Sequence, residues 1–136
     1  MGNRAVIKFD GTTQGIYLHW NGGVESVQAF LDCAKRYDLR GGSYGAARLC
    51  QIIGNFFGGS LSLGVDRIDF LDCDNGDNGM FTVDTKTWEI YKRDYVPEYL
   101  SSQKFDQEYY LGVFEECCKK NDAVFVGYEE QLAQVA

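Results

Sequence analysis

The sequence predicts a single α+β domain over residues 1–136, with a largely antiparallel sheet. Segments with strand patterns and segments with helical apolar spacing follow one another without regular alternation, which favours α+β over α/β architecture. A chain of 136 residues fits one domain and buries about two thirds of its unfolded surface. A composition of 45% hydrophobic and 15% aromatic residues is typical of a packed globule.

The N-terminal half opens with a predicted β-hairpin and continues with two helices. Residues 4–9 alternate weakly, and residues 15–20 are rich in β-branched and aromatic side chains, so the two form strands around a short turn. Residues 24–37 place Val27, Phe30 and Leu31 on one face, which predicts a helix. Residues 44–57 predict a second helix, and the two glycines that follow are suited to its C-cap.

The C-terminal half carries a three- or four-strand region and a final helix. Alternation at period two predicts a strand over 60–65. The next predicted strands are 68–71, which continues that strand or starts another, and a hairpin of 80–83 with 88–91. Helical spacing predicts the longest helix over 105–120. We also expect a last strand over 123–128, followed by a short helix or tail over 129–136.

Charge is divided unevenly along the chain. Residues 1–65 carry a balance of +2 and residues 66–136 a balance of −9, giving the net charge of −7. A strongly negative half repels nucleic acid and acidic membranes and attracts basic protein surfaces. We therefore expect no direct nucleic-acid or membrane partner.

Several function classes lack their sequence signatures. There is no leader-like N-terminus and no run of about 18 apolar residues, so we expect a cytoplasmic protein. The five cysteines form no CxxC pair, and the single histidine, His19, adds little to a zinc site. We expect no catalytic residues, no metal centre and no cofactor, and reduced thiols in the core.

The segment 66–79 holds five aspartates, but its spacing is not that of a calcium loop. Counted from Asp72, the fifth position is Gly76; counted from Asp74, the twelfth is Thr85, where a bidentate glutamate belongs. The segment is then a solvated acidic loop with tight Asn-Gly turns, a weak cation site, or an acidic contact surface.

A second candidate site is the glycine-rich loop at 41–45, which precedes a predicted helix. Exposed backbone amides at a helix N-terminus hold phosphate groups, although this loop lacks the Walker and GxGxxG spacings. This alternative is a binder of a small nucleotide-like signal. Its candidate ligand-binding residues are Arg40, Gly41, Gly42, Ser43 and Arg48.

Several segments resemble a family of small uncharacterised proteins often carried by bacteriophages and prophages. The resemblance rests on residues 3–7, 16–23, 47–59, 74–79 and 88–90, and it covers about residues 3–91. The family has no assigned activity, so the resemblance implies no catalytic or binding residues. It implies a context in which small acidic proteins inhibit a bacterial host system.

The leading hypothesis is a non-enzymatic inhibitor that binds a basic surface of a host protein or defence complex. Aromatic residues anchor protein interfaces, and carboxylates complement a basic surface that otherwise binds phosphate groups. The candidate partner-binding residues are Asp69, Asp72, Asp74, Asp77, Tyr95, Tyr99, Glu108, Tyr110, Glu115 and Glu116. A third alternative is an oligomeric structural protein that assembles through Phe56 and Phe57, so a homo-oligomer also stays open.

Overall fold

A computed structural model describes residues 2–39, 41–59 and 62–135, with side chains described as far as residue 125. The strands are β1 (Ala5–Phe9), β2 (Gln14–Leu18), β3 (Leu63–Arg67), β4 (Met80–Val83) and β5 (Ile90–Asp94). The helices are α1 (Val24–Arg36), α2 (Gly42–Phe57) and α3 (Gln107–Val135), with 3-10 turns at Ile68–Phe70 and Glu98–Leu100. Among the described residues, no helix has the length and apolar character needed to cross a bilayer.

The five strands form one sheet in the order β3-β2-β1-β4-β5. The β1–β2, β2–β3 and β4–β5 pairs are antiparallel, and only β1–β4 is parallel. The predicted α+β class, the N-terminal hairpin and the hairpin around residues 84–87 are confirmed. The parallel β1–β4 pair places the start of the chain beside residues 78–80, and this neighbourhood positions the candidate site.

Two strand predictions are wrong. Residues 68–70 form a 3-10 turn, and residues 123–128 belong to α3, which runs without interruption to Val135. The β-branched and aromatic content of 123–128 favours a strand, but strand propensity depends on context. The ring of Phe125 packs edge-on against Tyr37 at 5.1 Å, and Asp122 bonds to the end of α1. These contacts with α1 stabilise the helix across the start of the predicted strand.

The sheet has two unlike faces. One face carries Ile7, Ile16 and Phe81, which join α1, α2 and α3 in a single apolar core. The other face is crossed by the segment that follows β3. A Cβ added at Gly15 on that face would lie 2.5 Å from Cδ1 of Ile68. The segment after β3 and the three helices therefore lie on opposite sides of the sheet.

Candidate functional site

The acidic loop, residues 72–79, is built around the buried side chain of Asn75, which is only 4% exposed. Its Nδ2 donates to the carbonyl oxygens of Asp72 at 3.0 Å, of Cys73 at 3.3 Å and of Gly79 at 3.2 Å. Its Oδ1 accepts from the backbone amides of Asp77 at 3.0 Å and of Asn78 and Gly79 at 3.1 Å. One asparagine thus closes the loop from inside, so Asp72 and Asp74 are exposed on an ordered backbone, whereas the Asp77 carboxylate is turned toward Arg4.

The acidic loop is fastened to β1 by Asn78 and Arg4. The Nδ2 of Asn78 donates to the Arg4 carbonyl at 3.0 Å and to the side chain of Asn3. The Arg4 guanidinium lies 2.8 Å from the Asp77 carboxylate and 3.5 Å from that of Asp72. The hydrogen bond from the Arg4 side chain, followed by that from its backbone amide, lowers the pKa of Asp77. Part of the loop's negative charge is therefore neutralised locally.

Two exposed tyrosines lie beside the acidic loop. Tyr95 is 54% exposed and Tyr99 is 63% exposed. The hydroxyl of Tyr99 donates to the Gly76 carbonyl at 3.2 Å, and a Cβ at Gly79 would lie 2.5 Å from the Tyr95 carbonyl oxygen. The structure thus brings together five of the ten predicted partner-binding residues. We call them the Tyr–Asp surface; they are Asp72, Asp74, Asp77, Tyr95 and Tyr99.

Two of the predicted residues on α3, Glu115 and Glu116, do not join this surface. Glu115 and Glu116 are exposed on α3, which packs on the helical side of the sheet, whereas Asp72 and Asp77 lie with Arg4 on the opposite side. Glu116 is also 3.5 Å from Lys120. Glu108 is exposed in the first turn of α3. The sheet therefore separates Glu115 and Glu116 from the acidic loop.

Tyr110 also lies outside the Tyr–Asp surface, and the adjacent Tyr109 is more exposed than Tyr110. Tyr110 is half-buried between Phe105 and Phe114, and its hydroxyl donates to Asp32. Burial and that hydrogen bond raise the pKa of the Tyr110 hydroxyl. Tyr109 is exposed and accepts a hydrogen bond from Asn21 at 3.4 Å. Tyr110 thus ties α1 to α3 rather than serving as an outward anchor.

The last predicted residue of the acidic group, Asp69, is exposed beyond β3. It pairs with Arg67 at 3.1 Å, and both side chains are more than half exposed. Exposed pairs of this kind contribute little to stability. Its charge is nevertheless matched by a near neighbour in sequence, so Asp69 adds little net charge to the surroundings of the loop.

The glycine-rich loop of the alternative hypothesis borders a cavity of about 550 Å³. Gly42 and Ser43 line it, whereas Gly41 packs against the Thr85 carbonyl and does not. Arg40 lies outside the described residues, and Arg48 is half-buried on α2 with an interaction of its own. No charged side chain is among the described residues that line the cavity. The lining is mainly apolar, which does not suit a phosphate group.

The described side chains include no group of three or more histidine, cysteine, aspartate or glutamate residues placed to hold a metal ion. His19 accepts or donates a hydrogen bond with the Tyr17 hydroxyl at 2.9 Å. Cys33 and Cys117 are fully buried, and Cys33 has a raised pKa because of its bond with Cys117 and its burial. A raised pKa disfavours the thiolate that nucleophilic catalysis needs.

Sequence reasoning missed the residues that shape the acidic loop. Asn75 and Asn78 were predicted only as turn residues, and Arg4 was assigned to a separate basic half. The sequence feature that could have indicated their role was the repeated Asn-Gly pair, since asparagine often bonds its own backbone in such turns.

Comparison with models of protein families, with curated proteins and with solved structures finds no match. The resemblance to phage-borne proteins therefore stays a prediction.

Proposed function

We propose that the protein is a non-enzymatic binding protein that engages a basic surface of another protein through the Tyr–Asp surface. The observation that carries this proposal is that the ordered acidic loop contacts the exposed side chain of Tyr99 and the backbone of Tyr95, whose side chain is also exposed. Carboxylates and aromatic anchors on one patch are what a basic, Arg- or Lys-rich partner surface would complement. The proposal uses half of the predicted partner-binding residues and leaves Tyr110, Glu115 and Glu116 outside the contact.

The geometry favours binding in two further ways. The hydrogen bonds of Asn75 hold the loop in one conformation before any partner arrives, so little conformational entropy is lost on association. The Tyr99 hydroxyl is bonded to the loop while more than half of the side chain stays exposed, which limits the ring's freedom as well. Ordered anchors of this kind contribute most of the energy at protein interfaces.

The sequence resemblance supplies the context of the proposal. A phage or prophage protein acts in the cytoplasm of its bacterial host, and an acidic binding surface suits inhibition of a host protein or defence complex. Electrostatic complementarity with a basic groove accelerates association. The carboxylates would then compete with phosphate groups for the same basic site. This context rests on the resemblance alone, while the binding surface rests on the geometry.

The two acidic groups on opposite sides of the sheet provide a matched experiment. A partner is first captured from host lysate and identified, and its affinity is then measured by calorimetry at two salt concentrations. Variant D72N/D74N removes two charges from the Tyr–Asp surface, and variant E115Q/E116Q removes two from α3. We expect the first to weaken binding at least about tenfold, with a smaller salt dependence, and the second to change it little.

A third variant, Y95A/Y99A, tests the aromatic anchors in the same assay. Loss of two interface tyrosines is expected to cost at least about 2 kcal/mol of binding free energy. Equal losses for D72N/D74N and E115Q/E116Q would show that net charge, and not this surface, governs binding. Unchanged affinity in Y95A/Y99A would remove the tyrosines from the interface.

A further inference from the structure

We propose that the cavity between α2 and the β1–β2–β3 side of the sheet binds an uncharged, largely apolar small molecule. Its volume of about 550 Å³ falls within the range of small-molecule sites, about 300–1,000 Å³. This site goes beyond the proposed protein-binding function. It also lies on the helical side of the sheet, away from the acidic loop.

The cavity exists because α2 presents small residues where the sheet presents large ones. Gly42, Ser43, Ala46, Ala47 and Cys50 line it from the helix. Leu49, Ile52 and Ile53 of the same helix are fully buried and fill the core. The packed interior of a domain rarely leaves a void much larger than a water molecule, so an opening of this size at the start of α2 is a feature of the fold.

The sheet supplies the apolar wall of the cavity. Phe9 and Ile16 are buried, and Val65 stands opposite Ile16 in the β2–β3 register. Val65 is 61% exposed, so the cavity opens to solvent beside β3. A ligand can therefore enter at this edge and cover the side chain of Val65. Removing this apolar side chain from water would favour binding.

The polar groups of the lining are neutral. Thr12, Gln14, Ser43 and Thr85 contribute hydroxyl and carboxamide groups, and the Thr12 hydroxyl already donates to the Phe9 carbonyl at 2.9 Å. These groups suit a hydroxyl, carbonyl or amide on the ligand. A carboxylate or phosphate would lose hydration against apolar walls without a described counter-charge in the lining, which is costly. The chemistry therefore selects a neutral ligand over the nucleotide-like signal.

The probe for this site is Nile red, an uncharged dye whose emission shifts to the blue in apolar surroundings. We expect saturable binding to the full chain with one dye per protein, and displacement by decanol at lower concentrations than by decanoate. Absence of saturable binding would overturn the proposal. Displacement by decanoate at equal or lower concentration than by decanol would refute the preference for a neutral ligand.

Two variants place the dye in the cavity, and a third serves as the matched control. V65K puts a charge on the wall, and A46F fills the space below α2. V124K makes the same change at a valine of α3 that is 52% exposed and does not line the cavity. We expect V65K and A46F to weaken dye binding at least about tenfold and V124K to leave it unchanged.

Val65 is exposed, so V65K keeps the test decisive even where A46F does not fold. Equal dye affinity in V65K and the wild type would place the dye elsewhere and refute the site. The partner affinity of the Tyr–Asp surface is measured on the same V65K protein. An intact partner affinity with lost dye binding keeps the two proposals distinguishable.

Discussion

Replacing Asn75 by alanine is expected to destabilise the protein by about 3 kcal/mol. The substitution leaves the backbone amides of Asp77, Asn78 and Gly79 without the acceptor they share, and it also removes the donor shared by three carbonyl oxygens. The figure counts the three accepted bonds alone, at about 1 kcal/mol for each net hydrogen bond. Total stabilities of such domains are about 5–15 kcal/mol, so the loss is a large fraction. Urea unfolding followed by fluorescence measures it. With a slope of about 1.5 kcal/mol/M, the midpoint falls by about 2 M.

Two further variants make the Asn75 prediction specific. Asn55→Ala removes a half-buried asparagine whose side chain donates to Asn121 at 2.9 Å, and it should cost about 1 kcal/mol. Asn75→Asp keeps an acceptor oxygen but places a second carboxylate oxygen against the carbonyls that the amide nitrogen bonds. Its cost near neutral pH should therefore be at least that of Asn75→Ala. A loss below about 1 kcal/mol for Asn75→Ala would mean that solvent replaces the asparagine and that the loop is not ordered by it.

The remaining predictions concern the same loop. Gly79→Ala should destabilise more than Gly76→Ala: both have positive φ, which costs alanine about 1–2 kcal/mol, but only Gly79 meets backbone atoms. Arg4 holds the folded pKa of Asp77 below its unfolded value of about 3.9. Its stabilising contribution is therefore complete above that value and is lost as pH falls through the lowered pKa, and Asp77→Asn should flatten acid unfolding curves. Arg4→Met exposes more negative charge and should strengthen partner binding at low salt; weaker binding would contradict the proposed surface.

The helices were predictable where apolar spacing and packing agree. In α1, Val27, Phe30 and Leu31 form one stripe in the sequence and are fully buried against the sheet and α3. In residues 123–128 the two signals disagree. There, β-branched residues indicate a strand, while the contacts of Asp122 and Phe125 with α1 stabilise a helix. Contacts between segments some 85 residues apart leave no local pattern in the sequence.

The sequence predicted the types of residue in the candidate site but not which of them lie together in space. Asp74 and Tyr99 were both expected at a contact surface, and the hydrogen bond of Tyr99 to Gly76 places Tyr99 against the loop that carries Asp74. Adjacent helical residues point in different directions, and of Tyr109 and Tyr110 the sequence analysis selected Tyr110 as a contact residue, whereas Tyr109 is the exposed one. Which of the two faces solvent depends on Asp32, which accepts the Tyr110 hydroxyl from another helix.

The uneven charge along the sequence does not become a separation of charge in space, because the sheet interleaves the two halves. β1 pairs with β2 from its own half and with β4 from the other, which brings Arg4 to 2.8 Å from Asp77. On the helical side, Arg36 of α1 lies 2.8 Å from Asp122 of α3. Pairs at such distances cancel most of their field beyond about one Debye length, about 8 Å at physiological salt. Arg4 offsets only one of the three aspartates of the acidic loop. A basic partner would therefore respond to the remaining negative charge beside the tyrosines, and much less to the net charge of −7.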